Sequence, residues 1–161
     1  MRFGLYLIIA LLVSTLTGFA EPWKKDGAKW VHPKGVSFAP PPDVKVETDG
    51  KDNSIKMTGT KDDYLMGFFL VDSKATAEKV AKAMKGAMKG ITWGNVQNIK
   101  TPGYNLVLEE GENRGQTPLG HFSVGYMVKG SKYLVLLASY PATNKKLEQA
   151  TISSLGSVKF K

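Results

Sequence analysis

Residues 64–71 form an unbroken run of apolar or weakly polar side chains, Tyr-Leu-Met-Gly-Phe-Phe-Leu-Val. A strand with one face in water alternates polar and apolar residues, so this run predicts either a strand covered on both faces or a buried helix. Its aromatic and β-branched residues favour the strand. Residues 133–140 form a second run of the same kind. The pattern therefore predicts two central strands.

Two segments have the period of an amphipathic helix instead. After Asp72, apolar residues recur every three or four positions: Ala77, Val80, Ala81, Met84, Met88 and Ile91. Asp72 or Ser73 is expected to cap the start of this helix, and Gly90 to follow its end. A second helix is predicted after Pro141, with Thr143 or Asn144 as its cap and Gly156 at its end. Its inward positions would be Leu147, Ala150, Thr151, Ser154 and Leu155.

Shorter alternating segments predict further strands, at 35–39, 44–48, 55–58, 96–100, 104–109 and 122–128. Pro40, Pro41 and Pro42 cannot pair within an inner strand, so the first two of these segments should lie at or near a sheet edge. Turns are expected at 49–53, 92–95 and 129–132, and 110–120 is the longest irregular stretch. Val158 and Phe160 should return the chain to the core.

These elements predict an α+β fold in which two helices flank a central antiparallel sheet. Because both central strands need cover on two faces, we expect a three-layer α/β/α sandwich. A two-layer arrangement with both helices on one face is the competing geometry.

The first twenty residues resemble a secretory signal peptide. Arg2 supplies a positive charge, residues 3–13 are apolar, and Gly18-Phe19-Ala20 is a small-x-small site that predicts cleavage after Ala20. Retention as an uncut anchor is the alternative. The predicted organisation is a signal peptide at 1–20, a loose N-terminal arm at 21–34 and a single sandwich domain at 35–161. In the arm, Trp23 and Trp30 could lie at a membrane interface or close over the sheet.

The chain of 161 residues has a formal charge of +8. Arg2 and Arg114 are the two arginines among 22 basic residues, so 20 are lysine. Arginine makes the bidentate contacts that read bases, so this composition argues against sequence-specific nucleic-acid binding. It leaves salt-sensitive attraction to anionic surfaces. Cysteine is absent, which excludes disulfides, thiol catalysis and a lipid-modified cysteine.

The sequence contains no recognisable catalytic motif, and we predict no cofactor and no metal. His32 and His121 lie far apart without a metal-ligand spacing, and neither a nucleophile elbow nor a phosphate loop occurs. Two groups of residues are candidates for contacts. The first is a contact surface around an irregular loop, formed by Glu109, Glu110, Glu112, Arg114 and His121. The second is a cationic ridge of Lys82, Lys85 and Lys89 on the first helix. Each could equally be a solvated surface.

Two stretches carry a family resemblance: residues 35–42 (Gly-Val-Ser-Phe-Ala-Pro-Pro-Pro) leading into Val44-Lys45-Val46, and the closing helix with residues 153–160. With the order of elements, they resemble the PsbP family of photosystem II extrinsic proteins, the Ran-binding nuclear-transport factors of the same superfamily, and periplasmic proteins of the DcrB type. The resemblance implies a non-enzymatic domain that binds or scaffolds other proteins. A signal peptide is incompatible with Ran as the partner, and no set of functional residues transfers.

We therefore expect a periplasmic or secreted bacterial protein that acts as a non-catalytic binding, scaffold or immunity-type accessory domain. Its partner would be an unidentified protein of the cell envelope. The alternative is a basic domain that attaches to membrane headgroups or acidic polysaccharide. The third hypothesis is an enzyme of unrecognised type.

Overall fold

The computed structural model describes residues 23–48, 53–59, 64–113 and 120–161. The predicted signal peptide, most of the turn at 49–53 and Arg114 lie outside these residues. The helices are α1 (Lys74–Ala87) and α2 (Lys145–Gly156). The strands are β1 (Lys24–Asp26), β2 (Lys29–His32), β3 (Val36–Phe38), β4 (Val44–Glu47), β5 (Ser54–Gly59), β6 (Leu65–Val71), β7 (Thr92–Trp93), β8 (Gln97–Lys100), β9 (Asn105–Glu112), β10 (Gly120–Lys129), β11 (Lys132–Pro141) and β12 (Lys159–Phe160).

The strands form two antiparallel sheets. The large sheet has the order β4-β5-β6-β11-β10-β9-β7, and β8 also pairs with β9. The small sheet has the order β1-β2-β3-β12. The two predicted central strands, β6 and β11, are neighbours in the middle of the large sheet, where Phe69 lies opposite Val135. The prediction of an α+β fold with an antiparallel central sheet is confirmed.

Alternate residues of β6 belong to two different cores. Met66, Phe68 and Leu70 pack in a core with the small sheet and the partly buried Leu147 and Leu155 of α2, which we call the α2-side core. Leu65, Phe69 and Val71 pack with the buried residues of α1, Ala77, Val80 and Met84, in the α1-side core. Side chains of a strand alternate between its faces, so the unbroken apolar run reflects burial on both.

The predicted loose arm is wrong, because residues 24–32 form the hairpin β1–β2 and pair with β3. Trp23 and His32 anchor it, since they are 3% and 0% exposed and belong to the interior. The indole N–H of Trp23 donates to the carbonyl oxygen of Asn53 at 3.1 Å. Gly27 adopts a φ of 57° in the turn, a conformation that favours glycine. Trp23 therefore closes over the core rather than lying at a membrane interface.

Three other local predictions need correction. Residues 92–93, expected in a turn, pair with β9, and β9 itself continues through Glu112 into the stretch expected to be irregular. Gly111 allows this pairing, because a Cβ there would lie 2.8 Å from the indole of Trp93. β4 is an edge strand and β3 lies next to the edge strand β12, as predicted, but the two belong to different sheets rather than to one edge. The chain changes sheets at the prolines between them.

Both helix starts match the predicted caps. The Ser73 hydroxyl accepts a hydrogen bond from the Thr76 N–H at 3.2 Å, and the Asn144 side-chain oxygen accepts one from the Leu147 N–H at 3.2 Å. Gly90, expected after the first helix, has a φ of 79°. Local capping therefore agrees with the tertiary fold at these helix ends.

Gly125 of β10 lies against β9 so closely that no side chain fits. A Cβ at this position would overlap the carbonyl oxygen of Val107 and lie 2.9 Å from the Cα of Leu108. We expect Gly125→Ala to lower the free energy of unfolding by about 1–3 kcal/mol, as other overpacked sites do. Gly86→Ala is the matched control, because no atom lies within 4 Å of its Cβ position and alanine favours a helix by up to about 1 kcal/mol. Urea unfolding measures both, and equal stability of the two variants would contradict the packing argument.

Tyr64 connects β6 to α2 in the interior. Its hydroxyl donates to the sulfur of Met66 at 3.2 Å and lies 3.3 Å from the Thr151 hydroxyl. Burial raises the pKa of Tyr64 to about 12, above an ordinary value near 10. The folded protein thus holds this proton more tightly than the unfolded chain does. Its stabilisation is complete below about pH 10 and is lost as the pH rises towards about 12.

We therefore expect Tyr64→Phe to flatten the decline of stability above about pH 10, because the titrating group is removed. The measurement is the urea midpoint as a function of pH, with the half-buried Tyr133→Phe as control. Parallel curves for the wild type and Tyr64→Phe would refute this assignment.

Candidate contact surface

Of the five residues predicted to form a contact surface, the four that the structure describes do not all lie together. Glu109 faces α1, where its carboxylate forms an ion pair with Lys85. The Glu109 side chain is 13% exposed, and Lys85 lies 5.9 Å above the ring of Trp93. Glu109 therefore holds α1 against the edge of the sheet and is removed from the candidate surface.

The same contact divides the predicted lysine ridge. Lys82 of α1 and Lys89, two residues after the end of α1, are exposed, whereas Lys85 is half-buried and turned towards Glu109. A carboxylate beside an ammonium group reduces its attraction for other anions. The ridge is accordingly weaker than three solvated lysines would be.

Glu110 and His121 do meet, on the face of the sheet opposite Glu109. The His121 Nε2 lies 3.3 Å from Glu110 Oε1, and the Gln97 side-chain amide donates to Glu110 Oε2 at 3.2 Å. The Ser123 hydroxyl lies 3.3 Å from the same Nε2 of His121. We call Gln97, Glu110, His121 and Ser123 the polar cluster.

The polar cluster contains a serine, a histidine and a glutamate, but its geometry differs from that of a catalytic triad. In a triad the nucleophile and the carboxylate contact opposite nitrogens of the imidazole. Here the Ser123 and Glu110 oxygens converge on one nitrogen of His121. Ser123 is also only 5% exposed. The arrangement is a hydrogen-bonded network that orients side chains, not an activated nucleophile.

Tyr140 covers one side of His121. Their ring centroids are 5.0 Å apart with an interplanar angle of 30°. Burial, together with the smaller effects of the charges of Glu148 and Glu110, raises the pKa of Tyr140 to about 12. The Tyr140 hydroxyl thus stays protonated near neutral pH. Glu112 lies across the strand pair from His121, while the remaining candidate, Arg114, is outside the described residues.

The neighbouring strand β8 is exposed on both faces, which the sequence did not predict. Every residue from Gly94 to Lys100 is exposed, including Val96 (56%) and Ile99 (39%). Trp93 pairs with Gly111, and Gln97 pairs with Leu108. Three residues (94–96) therefore lie between these pairs on one side and only two (109–110) on the other, which makes a β-bulge. The sequence predicted a strand at 96–100, which is confirmed for 97–100, but no sequence signal identified it as an uncovered edge.

Other sheet edges among the described residues carry charges that discourage pairing. On β4, Glu47 forms ion pairs with Lys45 and Lys56 at 2.7 and 2.9 Å. The hydrogen bond from Lys45 has the largest effect on the pKa of the Glu47 carboxyl group, and both it and the hydrogen bond from Lys56 lower this pKa. At β12, the Lys129 ammonium group donates to the carbonyl oxygen of Phe160 at 3.3 Å. Edge charges of this kind are a common protection against strand addition. β8 has one such charge, Lys100, but differs from these edges in exposing Ile99 and, in its bulge, Val96.

Within the described ranges, no three histidine, aspartate or glutamate side chains are close enough to hold a metal ion. No helix among those residues has both the length and the apolar character to cross a bilayer.

No protein-family model matches the sequence. No characterised protein matches it significantly by sequence. Solved structures do match. Cyanobacterial PsbP (CyanoP) from Synechocystis sp. PCC 6803 aligns with a TM-score of 0.58 and 10% identity over 91% of this chain and 96% of its own. The Ran-binding protein Mog1p of Saccharomyces cerevisiae aligns with a TM-score of 0.52 and 9% identity over 78% of this chain and 90% of its own.

The chain has the PsbP/Mog1-like fold. A protein from Bacteroides thetaiotaomicron VPI-5482 also matches, with a TM-score of 0.57 and 10% identity over 85% of this chain. The chain covers 49% of that protein, about half its length. The predicted resemblance is thus confirmed for the PsbP/Mog1-like fold. At such low identity the likeness concerns the arrangement of elements and transfers no site residue.

Proposed function

We propose that this protein is an exported, non-catalytic accessory domain that binds an extended segment of another protein along β8. The observation that carries the proposal is the uncovered edge strand with its exposed Val96 and Ile99. An exposed strand edge offers backbone N–H and C=O groups to which a partner strand can pair. The flanking apolar side chains would supply the contacts that make such pairing specific.

The polar cluster lies beside this edge and supports the same function. Gln97 belongs to β8 itself and contacts Glu110, which in turn contacts His121. Protein interfaces commonly combine a few apolar anchors with surrounding hydrogen-bonding groups. The convergence of Ser123 and Glu110 on one histidine nitrogen supports a binding role over an enzymatic one.

The structural comparison supports protein binding in a general way. Mog1p is described as a Ran-binding protein, so this fold can serve protein recognition. Export rests on the predicted signal peptide at residues 1–20, and the proposed location is the periplasm or the medium. The partner would then be a protein of the cell envelope, and the role that of a scaffold or an immunity protein.

The proposal also includes the three-layer arrangement. α1 packs in one core and α2 in the other, and the two cores use alternate residues of β6 and β11. This separation favours helices on opposite faces over the two-layer alternative. Both faces of the central strands would then be covered, and β8 lies beyond this cover at one edge of the sheet.

Site-specific photo-crosslinking in cells that export the protein tests the proposed edge. A photoreactive residue at Val96 should form an adduct with one protein partner, whereas the same residue at Ile152 should not. Ile152 is a matched control because it is an apolar residue of α2 with 54% exposure, against 56% for Val96. Identical adducts from both positions, or no adduct from Val96 or Ile99, would refute binding along β8.

Charge substitutions then test whether the contact contributes to affinity. Val96→Asp should weaken binding to the crosslinked partner by about tenfold or more, since it places a carboxylate against an apolar anchor. Ile152→Asp should leave the affinity unchanged. Calorimetry with the purified partner measures both, and equal affinities would remove Val96 from the interface.

A further inference from the structure

The small sheet gathers lysines that are distant in the sequence onto one face. Strand register places Lys24 beside Val31, Val31 beside Ser37, and Ser37 beside Lys159. Neighbours in a row across a sheet share a face. Trp23, His32 and Phe160, one position away in their strands, are buried in the interior. The row containing Lys24 and Lys159 therefore lies on the opposite face. Ser37 in the middle of this row is only 8% exposed, and Lys24 and Lys159 at its two ends are exposed.

Lys29 belongs to the same face, two residues before Val31, and is exposed like Lys24 and Lys159. One carboxylate accompanies them, because Asp26 pairs with Lys29 across the β1–β2 hairpin. No ion pair or hydrogen bond of the Lys24, Lys29 or Lys159 side chain occurs among the described residues. These ammonium groups are thus directed to solvent.

More lysines join this face at one end. Lys132 donates to the carbonyl oxygen of Lys161, and both lie against Gly35. The preceding residue, Lys34, pairs with Asp72 at 2.9 Å. We call the set the lysine face: Lys24, Lys29, Lys34, Lys132, Lys159 and Lys161. Six ammonium groups here meet two carboxylates, those of Asp26 and Asp72, so the face has a strong positive excess.

The chemistry of the lysine face fits phospholipid headgroups better than a protein or a nucleic acid. Its positive charges are all lysine, a strongly hydrated point charge, whereas protein and base recognition favours arginine. The exposed large apolar residues Val96, Ile99 and Ile152 belong to β8, its bulge and α2, outside the small sheet. The face therefore has charge without an apolar anchor, which suits electrostatic contact with an anionic layer.

The predicted signal peptide supports a membrane as the ligand of this face. Residues 3–13 are apolar, and β1 begins at Lys24, a member of the lysine face. During export, the predicted signal peptide would hold β1 close to the headgroups. No part of the sequence would bring an acidic protein to the lysine face in the same way.

We propose that the lysine face is a peripheral binding site for anionic phospholipid membranes. The interaction is electrostatic and reversible. It is separate from the β8 edge, so the protein can contact a membrane and a protein partner through different surfaces. The predicted ridge on α1 has no part in it.

Vesicle cosedimentation tests this proposal, using the protein as recovered after export. It should bind vesicles of phosphatidylglycerol and phosphatidylcholine at low salt and detach as salt rises, because the Debye length shortens to about 8 Å at physiological ionic strength. Vesicles of phosphatidylcholine alone should bind far less. Failure to bind the anionic vesicles at low salt would overturn the proposal.

Two triple variants with equal net charge separate the lysine face from general basicity. Each lysine near an anionic surface contributes about a fivefold factor in partitioning. Lys24→Gln, Lys29→Gln and Lys159→Gln together should thus weaken binding roughly a hundredfold. Lys79→Gln and Lys82→Gln on α1, with Lys89→Gln just after it, remove the same charge from exposed positions and should have little effect. Equal losses in both triple variants would refute a localised site.

Lysine footprinting on the wild type gives a readout that needs no substitution. Anionic vesicles should protect Lys24, Lys29 and Lys159 from acetylation, while Lys79, Lys82 and Lys89 stay reactive. Protection of the α1 lysines instead would overturn the proposal. If polyglutamate protected the lysine face and anionic vesicles did not, the proposal would also be overturned. The surface would then be assigned to an acidic protein.

Discussion

Burial of both faces of β6 and β11 is the constraint on which the rest of the structure depends. Met66, Phe68 and Leu70 need a cover on one side of the large sheet, and Leu65, Phe69 and Val71 need one on the other. α1 covers the second set, and α2 with the small sheet covers the first. Each helix is amphipathic because one of its faces serves this purpose. The hydrophobic effect thus links the order of elements along the chain to their positions on the sheet.

The strands of the large sheet are not all buried to the same extent, and this difference determines which parts of the sheet are exposed to solvent. α1 packs against β10 and β11, and α2 against β11, whereas β8 pairs with β9 alone and is exposed on both faces. The small sheet has one face in the α2-side core and the other turned away, where its lysines collect. A stable body can therefore present two chemically different surfaces, an apolar strand edge and a cationic face. The proposed protein binding uses the first of these surfaces, and the proposed membrane binding uses the second.

Much of the fold could be predicted from local pattern. Two unbroken apolar runs indicated the central strands, and the change of period after Asp72 indicated α1. Both caps, Ser73 and Asn144, were among the residues expected, because these signals depend on neighbours in sequence. The candidate site was less predictable. Grouping Glu109 with Glu110 assumed a common loop, but successive residues of a strand point to opposite faces, and β9 continues through both.

The sequence by itself determined the central strands, the two helices with their caps, the tight turn at Gly130 and the absence of thiol chemistry. These follow from periodicity, from capping and from residue types, which act over a few positions. Only the tertiary structure decided that residues 24–32 form part of a second sheet, that Lys85 is paired with Glu109, and that Val96 and Ile99 are uncovered. It also brought Lys24, Lys34, Lys132 and Lys159 to one surface. The physical reason is that strand pairing across long sequence separations sets which side chains become neighbours, and local patterns contain no information about those distances.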